Sequence, residues 1–137
     1  MKPGRIVVDS NIWISFLISG MPMFFKEITL DENYKILISA DFNNEMKATT
    51  KREKFRKYFS LEKASLFINQ LAKSSETIYI TSNLNLCRDP KDDYLLNLSI
   101  DGKAGYLITG DRDLLILKKI ENTKIVTLKE FEEIIKI

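Results

Sequence analysis

Histidine is absent from this chain. That absence removes Ser-His-Asp and Cys-His nucleophilic sites and every metal site that depends on imidazole. Cysteine occurs once, at Cys87, so neither an intramolecular disulfide nor a cysteine-rich zinc site can form. The lone cysteine reads as a small buried apolar side chain. Proline and glycine are sparse, three and five in 137 residues, and gather into no linker that would divide the chain. Internal repeats and low-complexity stretches are missing as well. No apolar run approaches the roughly 20 residues a membrane-spanning helix needs, and the opening Met-Lys-Pro-Gly-Arg lacks the apolar segment of a signal peptide. The expectation is one globular domain over residues 1–137, cytoplasmic and without membrane contact. Any catalysis must rest on carboxylates, hydroxyls, amides, lysines and the metal they hold.

What is present is charge of both signs, 21 basic against 19 acidic residues, for a net of +2. So small a surplus does not announce a polyanionic partner. Its distribution says more. The stretch Lys47 to Lys57 is strongly cationic, whereas acids recur just ahead of helices. A near-neutral molecule with charges segregated this way can still bind a polyanion locally. Lys51, Arg52, Lys54 and Arg56 are the candidate phosphate contacts, with Arg112 a further one. Phe55, Tyr58 and Phe59 are expected to pack in the core or on a partner rather than stack on bases.

Short apolar runs alternate with helical patterns. Strands are expected at Arg5–Asp9, Lys35–Ser39, Thr77–Thr81, Gly105–Thr109 and Lys124–Thr127. Between them the spacing predicts helices over Asn11–Ile18, Met23 to about Leu30, and about Ala40 to Thr50. A further helix is capped by Ser60 and carries Leu61, Ala64, Phe67, Ile68 and Leu71 on one face. Asp89-Pro90 opens the next, which Gly102 or Gly105 ends. A short helix from Asp111 to about Lys119 and a last one from Leu128 to Ile137 complete the pattern. Continuous apolar strands alternating with helices imply a parallel sheet covered on both faces. The predicted architecture is a three-layer α/β/α sandwich around a mainly parallel five-stranded sheet.

Ligands of such sheets bind beyond the carboxyl ends of the strands. Asp9 closes the first strand, Glu45 lies in the helix after the second, Asp93 in the helix after the third, and Asp111 just past the fourth. All four therefore fall at one edge. Clustered carboxylates raise one another's pKa, and a divalent cation relieves that repulsion. With oxygen donors only, Mg²⁺ or Mn²⁺ fits best, and the chemistry suited to it is phosphodiester hydrolysis. Each acid also has a plain structural role open to it. Asp9 could cap the first helix, although Ser10 and Asn11 could do so instead, and Asp89, Asp92 and Asp93 all favour a helix N-terminus. Asp89 is assigned as the cap. Asp93 shares a face with Leu96 and Ile100, which predicts that it leans toward the sheet. Asp92 lies about 100° away and is the secondary candidate, as is Asp113 beside Asp111.

At Val8-Asp9-Ser10-Asn11, Asp89-Pro90-Lys91-Asp92-Asp93 and Leu107-Ile108-Thr109-Gly110-Asp111-Arg112-Asp113-Leu114-Leu115, the chain resembles PIN-domain proteins. More narrowly, it resembles the toxin components of toxin–antitoxin systems, over nearly its whole length. The resemblance implies a metal-dependent ribonuclease with catalytic and metal-holding Asp9, Glu45, Asp93 and Asp111. It also implies Asn11 and Thr109 as residues that orient water or ligand, an RNA substrate, a cognate antitoxin and a homodimer. Ser99 is the only small residue on a helix that in the family usually shows several. A receiver domain, the competing acidic α/β design, needs an acid at the end of the third strand, where Tyr79-Ile80-Thr81 stands. A catalytically silent PIN-like module that only binds RNA or protein is the second reading.

Overall fold

Strand β1 (Lys2–Val8) runs through the middle of the sheet. Its Ile6 and Val8 are buried in one apolar cluster and Val7 in another. Successive strand side chains point to opposite faces, and here both faces are covered, which is why the sequence shows an unbroken apolar run. The computed structural model describes residues 2–136, so Ile137, the expected end of the last helix, lies outside the described residues.

The remaining elements are α1 (Ser10–Ser19), α2 (Met23–Leu30), β2 (Lys35–Ile38), α3 (Ala40–Thr50), α4 (Leu61–Ser74), β3 (Glu76–Thr77), α5 (Pro90–Asp101), β4 (Ala104–Ile108), α6 (Arg112–Leu115), β5 (Lys119–Ile120), β6 (Thr123–Val126) and α7 (Leu128–Ile135). A single 3₁₀ turn, Glu53–Phe55, joins α3 to α4. The sheet order is β3-β2-β1-β4-β6-β5, parallel except for β5. On one face, Trp13, Phe16, Phe25, Phe42, Met46, Ile68 and Phe131 from α1–α4 and α7 pack against the sheet. On the other, Leu95, Leu96, Leu98 and Leu114 of α5 and α6 cover it. This is the expected three-layer α/β/α order.

Three elements depart from expectation. Among the described residues the sheet has six strands rather than five, because the chain after α6 folds back as β5 and pairs antiparallel with β6. The expected helix to Lys119 accordingly stops at Leu115. The expected strand Thr77–Thr81 contributes only Glu76–Thr77 to the ladder. Beyond the bond from Ile78 N–H to the Ile38 carbonyl, the backbone finds its partners on α5 instead of in the sheet. Gly4 allows β1 to pass the turn before β2, since a Cβ there would lie 2.0 Å from the Asn33 carbonyl oxygen.

Candidate active site

Strand register sets the floor of the site. Val8 pairs with Ile108, so the next residues, Asp9 and Thr109, emerge side by side at the carboxyl edge. The buried Thr109 hydroxyl donates to Asp9 Oδ2 at 2.8 Å and accepts the Asp111 N–H at 3.0 Å. Asp9 also caps α1, accepting the Asn11 N–H on Oδ1 at 3.2 Å. Asp9 lines the cleft as well as capping α1, so the two roles are not alternatives. Asp111 in turn caps α6 through the Asp113 N–H.

These residues open into a cleft of about 200 Å³ whose walls include Asp9, Asn11, Glu45, Asp92 and Asp111, with Arg52 and Lys91 also on its lining. Glu45 comes from the middle of α3, where the Ser10 hydroxyl donates to its Oε1 at 3.4 Å. The Ser39 hydroxyl, at the start of α3, hydrogen-bonds the Tyr94 phenol of α5 at 2.7 Å and ties the two acid-bearing helices together. Burial pushes the Tyr94 phenol well above its ordinary range.

The two candidate acids of α5 take different places in the structure. Asp92 lines the cleft, and Asp93 does not. α5 is buried continuously from Leu95 to Ser99, and of these residues Leu95, Leu96 and Ser99 stand three, four and seven after Asp92. Of Leu96 and Ile100, the two residues that favoured Asp93, Leu96 is fully buried and Ile100 half-buried. Ser99 marks the right phase: it is fully buried and its hydroxyl returns to the Leu95 carbonyl at 2.8 Å. Asp93 is buried too, but its Oδ1 accepts the N–H groups of Leu86 at 2.9 Å and Cys87 at 2.8 Å.

One oxygen each of Asp92, Asp111 and Asp113 lie within 4.8 Å of one another. Asp113 also meets Arg88 at 2.9 Å on the exposed rim. Burial, the hydrogen bond with Asp111 and the charges of Asp111, Asp89 and Asp9 push the Asp92 carboxyl up to about 7. A site that resists its own ionisation, built from oxygen donors alone, has the chemistry to hold a hard divalent cation.

Of the cationic candidates, Lys51, Arg52, Lys54 and Arg112 are exposed, and Arg52 reaches the cleft. Arg56 is turned inward, its guanidinium donating to the Thr50 carbonyl and lying 5.5 Å from the centre of the Phe59 ring. Phe59 is buried with Leu17 and Ala64, and Phe55 stacks on it at 5.6 Å, so both belong to packing. Sequence reasoning missed Lys91, Ser10 and Tyr94. Lys91 sits inside the Asp-Pro-Lys-Asp-Asp motif, where its placement on the helix was the only available signal.

A mainly parallel α/β/α sheet with an acidic cleft at the carboxyl ends of its strands defines the class. The chain belongs to the PIN-domain family, whose profile matches residues 5–113; PIN domains are generally nucleases. It is 32% identical over 140 aligned residues to the uncharacterized protein MJ1680 of Methanocaldococcus jannaschii, covering 94% of this chain and 90% of that one. The fold is similar to that of a chain in the crystal structure of VapBC2 from Rickettsia felis bound to a DNA fragment from their promoter. That likeness has a TM-score of 0.61 at 15% identity and covers 88% of this chain and 96% of the other. Among the described residues, no helix is long and apolar enough to cross a membrane.

Proposed function

We propose that this chain is a divalent-metal-dependent endoribonuclease that hydrolyses phosphodiester bonds of single-stranded RNA, folded as one PIN domain. The observation that carries the reading is the single cleft joining Asp9, Glu45, Asp92 and Asp111, with Arg52 and Lys91 beside them. Asp92 replaces Asp93 in this set, on the geometry of α5. Asp113 is a further candidate ligand through its proximity to Asp92 and Asp111.

Bound Mg²⁺ or Mn²⁺ would supply an activated water and neutralise charge on the scissile phosphate. The chain's own residues do the rest. Asp9, Asp92 and Asp111 would hold the cation, and Thr109 keeps Asp9 and Asp111 in fixed relation. Glu45, on the lining of the cleft and hydrogen-bonded by Ser10, would accept a proton from the attacking water. Asn11, exposed at the cleft wall, can orient that water. Arg52 and Lys91 would seat the phosphates flanking the scissile bond, and Lys51, Lys54 and Arg112 would extend the contact along the RNA backbone.

The resemblance to toxin components brings two protein partners into the proposal: a cognate antitoxin that blocks the cleft, and a second copy of the chain. A cytoplasmic location belongs to the same reading. The test compares wild type with Asp9→Asn and Asp92→Asn on a mixed RNA substrate, with Mg²⁺ or Mn²⁺ and with EDTA. Cleavage by wild type alone, lost in EDTA, is the expected result. Equal cleavage in every lane would point to a contaminant. No cleavage by wild type with either metal would favour the silent binding module.

A further inference from the structure

Segment 81–87 leaves the sheet edge and runs back along α5, where a stripe of side chains one helical turn apart receives it. Asp101 Oδ2 accepts the N–H groups of Thr81 at 2.6 Å and Ser82 at 2.9 Å, and Asn97 Oδ1 accepts that of Leu84 at 2.9 Å. Asp93 Oδ1 takes those of Leu86 and Cys87. The Cys87 thiol is pushed up to about 11, first by burial and then by the charge and hydrogen bond of Asp93. Immediately beyond this strap stand Arg88, which pairs with Asp113, and Asp89, which caps α5 through the Lys91 N–H at 3.0 Å.

We infer that Asp93 is a positioning residue: it fastens the end of this strap to α5 and thereby sets the turn from which Asp92 and Lys91 enter the cleft. The inference rests on the proposed metal site only for its consequence; the fastening itself is a property of the fold. Asp93 is buried, and both hydrogen bonds described for its Oδ1 go to backbone of the strap. An amide oxygen can accept the same two N–H groups, whereas a carboxylate that ligates a cation loses its charge, and with it most of its affinity, on conversion to an amide. Asp92 and Asp93, adjacent in sequence, are therefore separable by chemistry.

The experiment uses the full chain, with Mn²⁺ as probe, titrated by calorimetry, and amide hydrogen exchange read at Leu86 and Cys87. In Asp93→Ala, exchange at these two amides should accelerate at least about tenfold and Mn²⁺ affinity should fall about tenfold. Asp93→Asn should restore Mn²⁺ affinity to within about threefold of wild type, as expected of a supporting rather than a ligating side chain. Asp92→Asn should abolish Mn²⁺ binding and leave exchange at Leu86 and Cys87 unchanged. Loss of Mn²⁺ in Asp93→Asn as complete as in Asp92→Asn would make Asp93 a ligand and overturn the inference. So would unchanged exchange in Asp93→Ala. If Asp93→Ala does not fold, the contrast between Asp93→Asn and Asp92→Asn decides. If wild type takes no Mn²⁺, the metal reading fails, and exchange alone upholds or overturns the fastening.

Discussion

Thr109 and Asp9, a hundred positions apart in the chain, are joined by a buried 2.8 Å hydrogen bond in which the threonine hydroxyl donates. The same oxygen accepts the Asp111 N–H, so one hydroxyl holds two of the cleft's acids. Thr109→Val keeps the shape but removes both bonds. It should destabilise the fold by about 1–3 kcal/mol, because Asp111 N–H and an Asp9 oxygen are left unpaired. Mn²⁺ affinity should drop roughly tenfold, as for other residues that orient ligands. Thr109→Ser should restore both. Urea unfolding and calorimetric titration check this, and an unaltered Mn²⁺ affinity in the valine variant would refute the orienting role.

The raised Asp92 carboxyl gives stability a pH dependence of definite sign. The folded state binds this proton more tightly than the unfolded chain does, since about 7 exceeds the ordinary 3.8. Its contribution to stability is therefore full below about pH 4 and is lost as pH rises through about 7. A divalent cation opposes that loss. Thermal melting should show a larger rise in Tm on adding Mn²⁺ at pH 8 than at pH 5. Asp92→Asn should melt higher than wild type at pH 8 without metal and should lose the response to Mn²⁺. A metal-induced rise that is equal at both pH values would count against a shared carboxylate site.

Arg52 and Lys91 are expected to act on RNA through phosphate charge. In an Asp9→Asn background, which suppresses cleavage, fluorescence anisotropy with a single-stranded RNA should show weaker binding for Arg52→Ala and Lys91→Ala. Each should also lower the magnitude of the slope of log affinity against log salt by about 0.7. Arg56→Gln should instead alter stability with little change in slope, since its guanidinium is engaged with the Thr50 carbonyl and Phe59.

Lys103, just after α5, holds a left-handed φ of 53°. Glycine adopts that conformation without the Cβ strain that lysine bears. Lys103→Gly should stabilise the protein by roughly 0.5–1 kcal/mol, measured by urea unfolding. The position lies at the opposite end of β4 from the cleft, so Mn²⁺ binding should not change.

Much of this molecule could be read from local pattern. Alternating apolar runs and helices, with both strand faces apolar, required a parallel sheet between two helical layers. The rule that sites lie beyond strand ends then located Asp9 and Asp111 in the cleft. Segment 77–81 misled because its alternation of Ile78, Tyr79 and Ile80 is that of a strand. An extended backbone satisfies its N–H groups wherever acceptors are offered, and from Thr81 onward Asp101, Asn97 and Asp93 offered them. Periodicity reports extension but not the partner of the ladder.

By itself the sequence determined the α/β/α order, the exclusion of histidine and cysteine chemistry, and the carboxyl edge as the place where acids meet. These depend on side-chain type and on periods of two and 3.6 residues, both local properties. Only the tertiary structure decided that Asp92 faces the cleft while Asp93 holds the strap, that Arg56 turns inward, and that Thr109 links Asp9 to Asp111. Each of these depends on the rotation of a helix or the register of a strand against its neighbours. A rotation of about 100° exchanges adjacent helical residues, and the packing of α5 on the sheet through Leu95, Leu96 and Leu98 is what set it here.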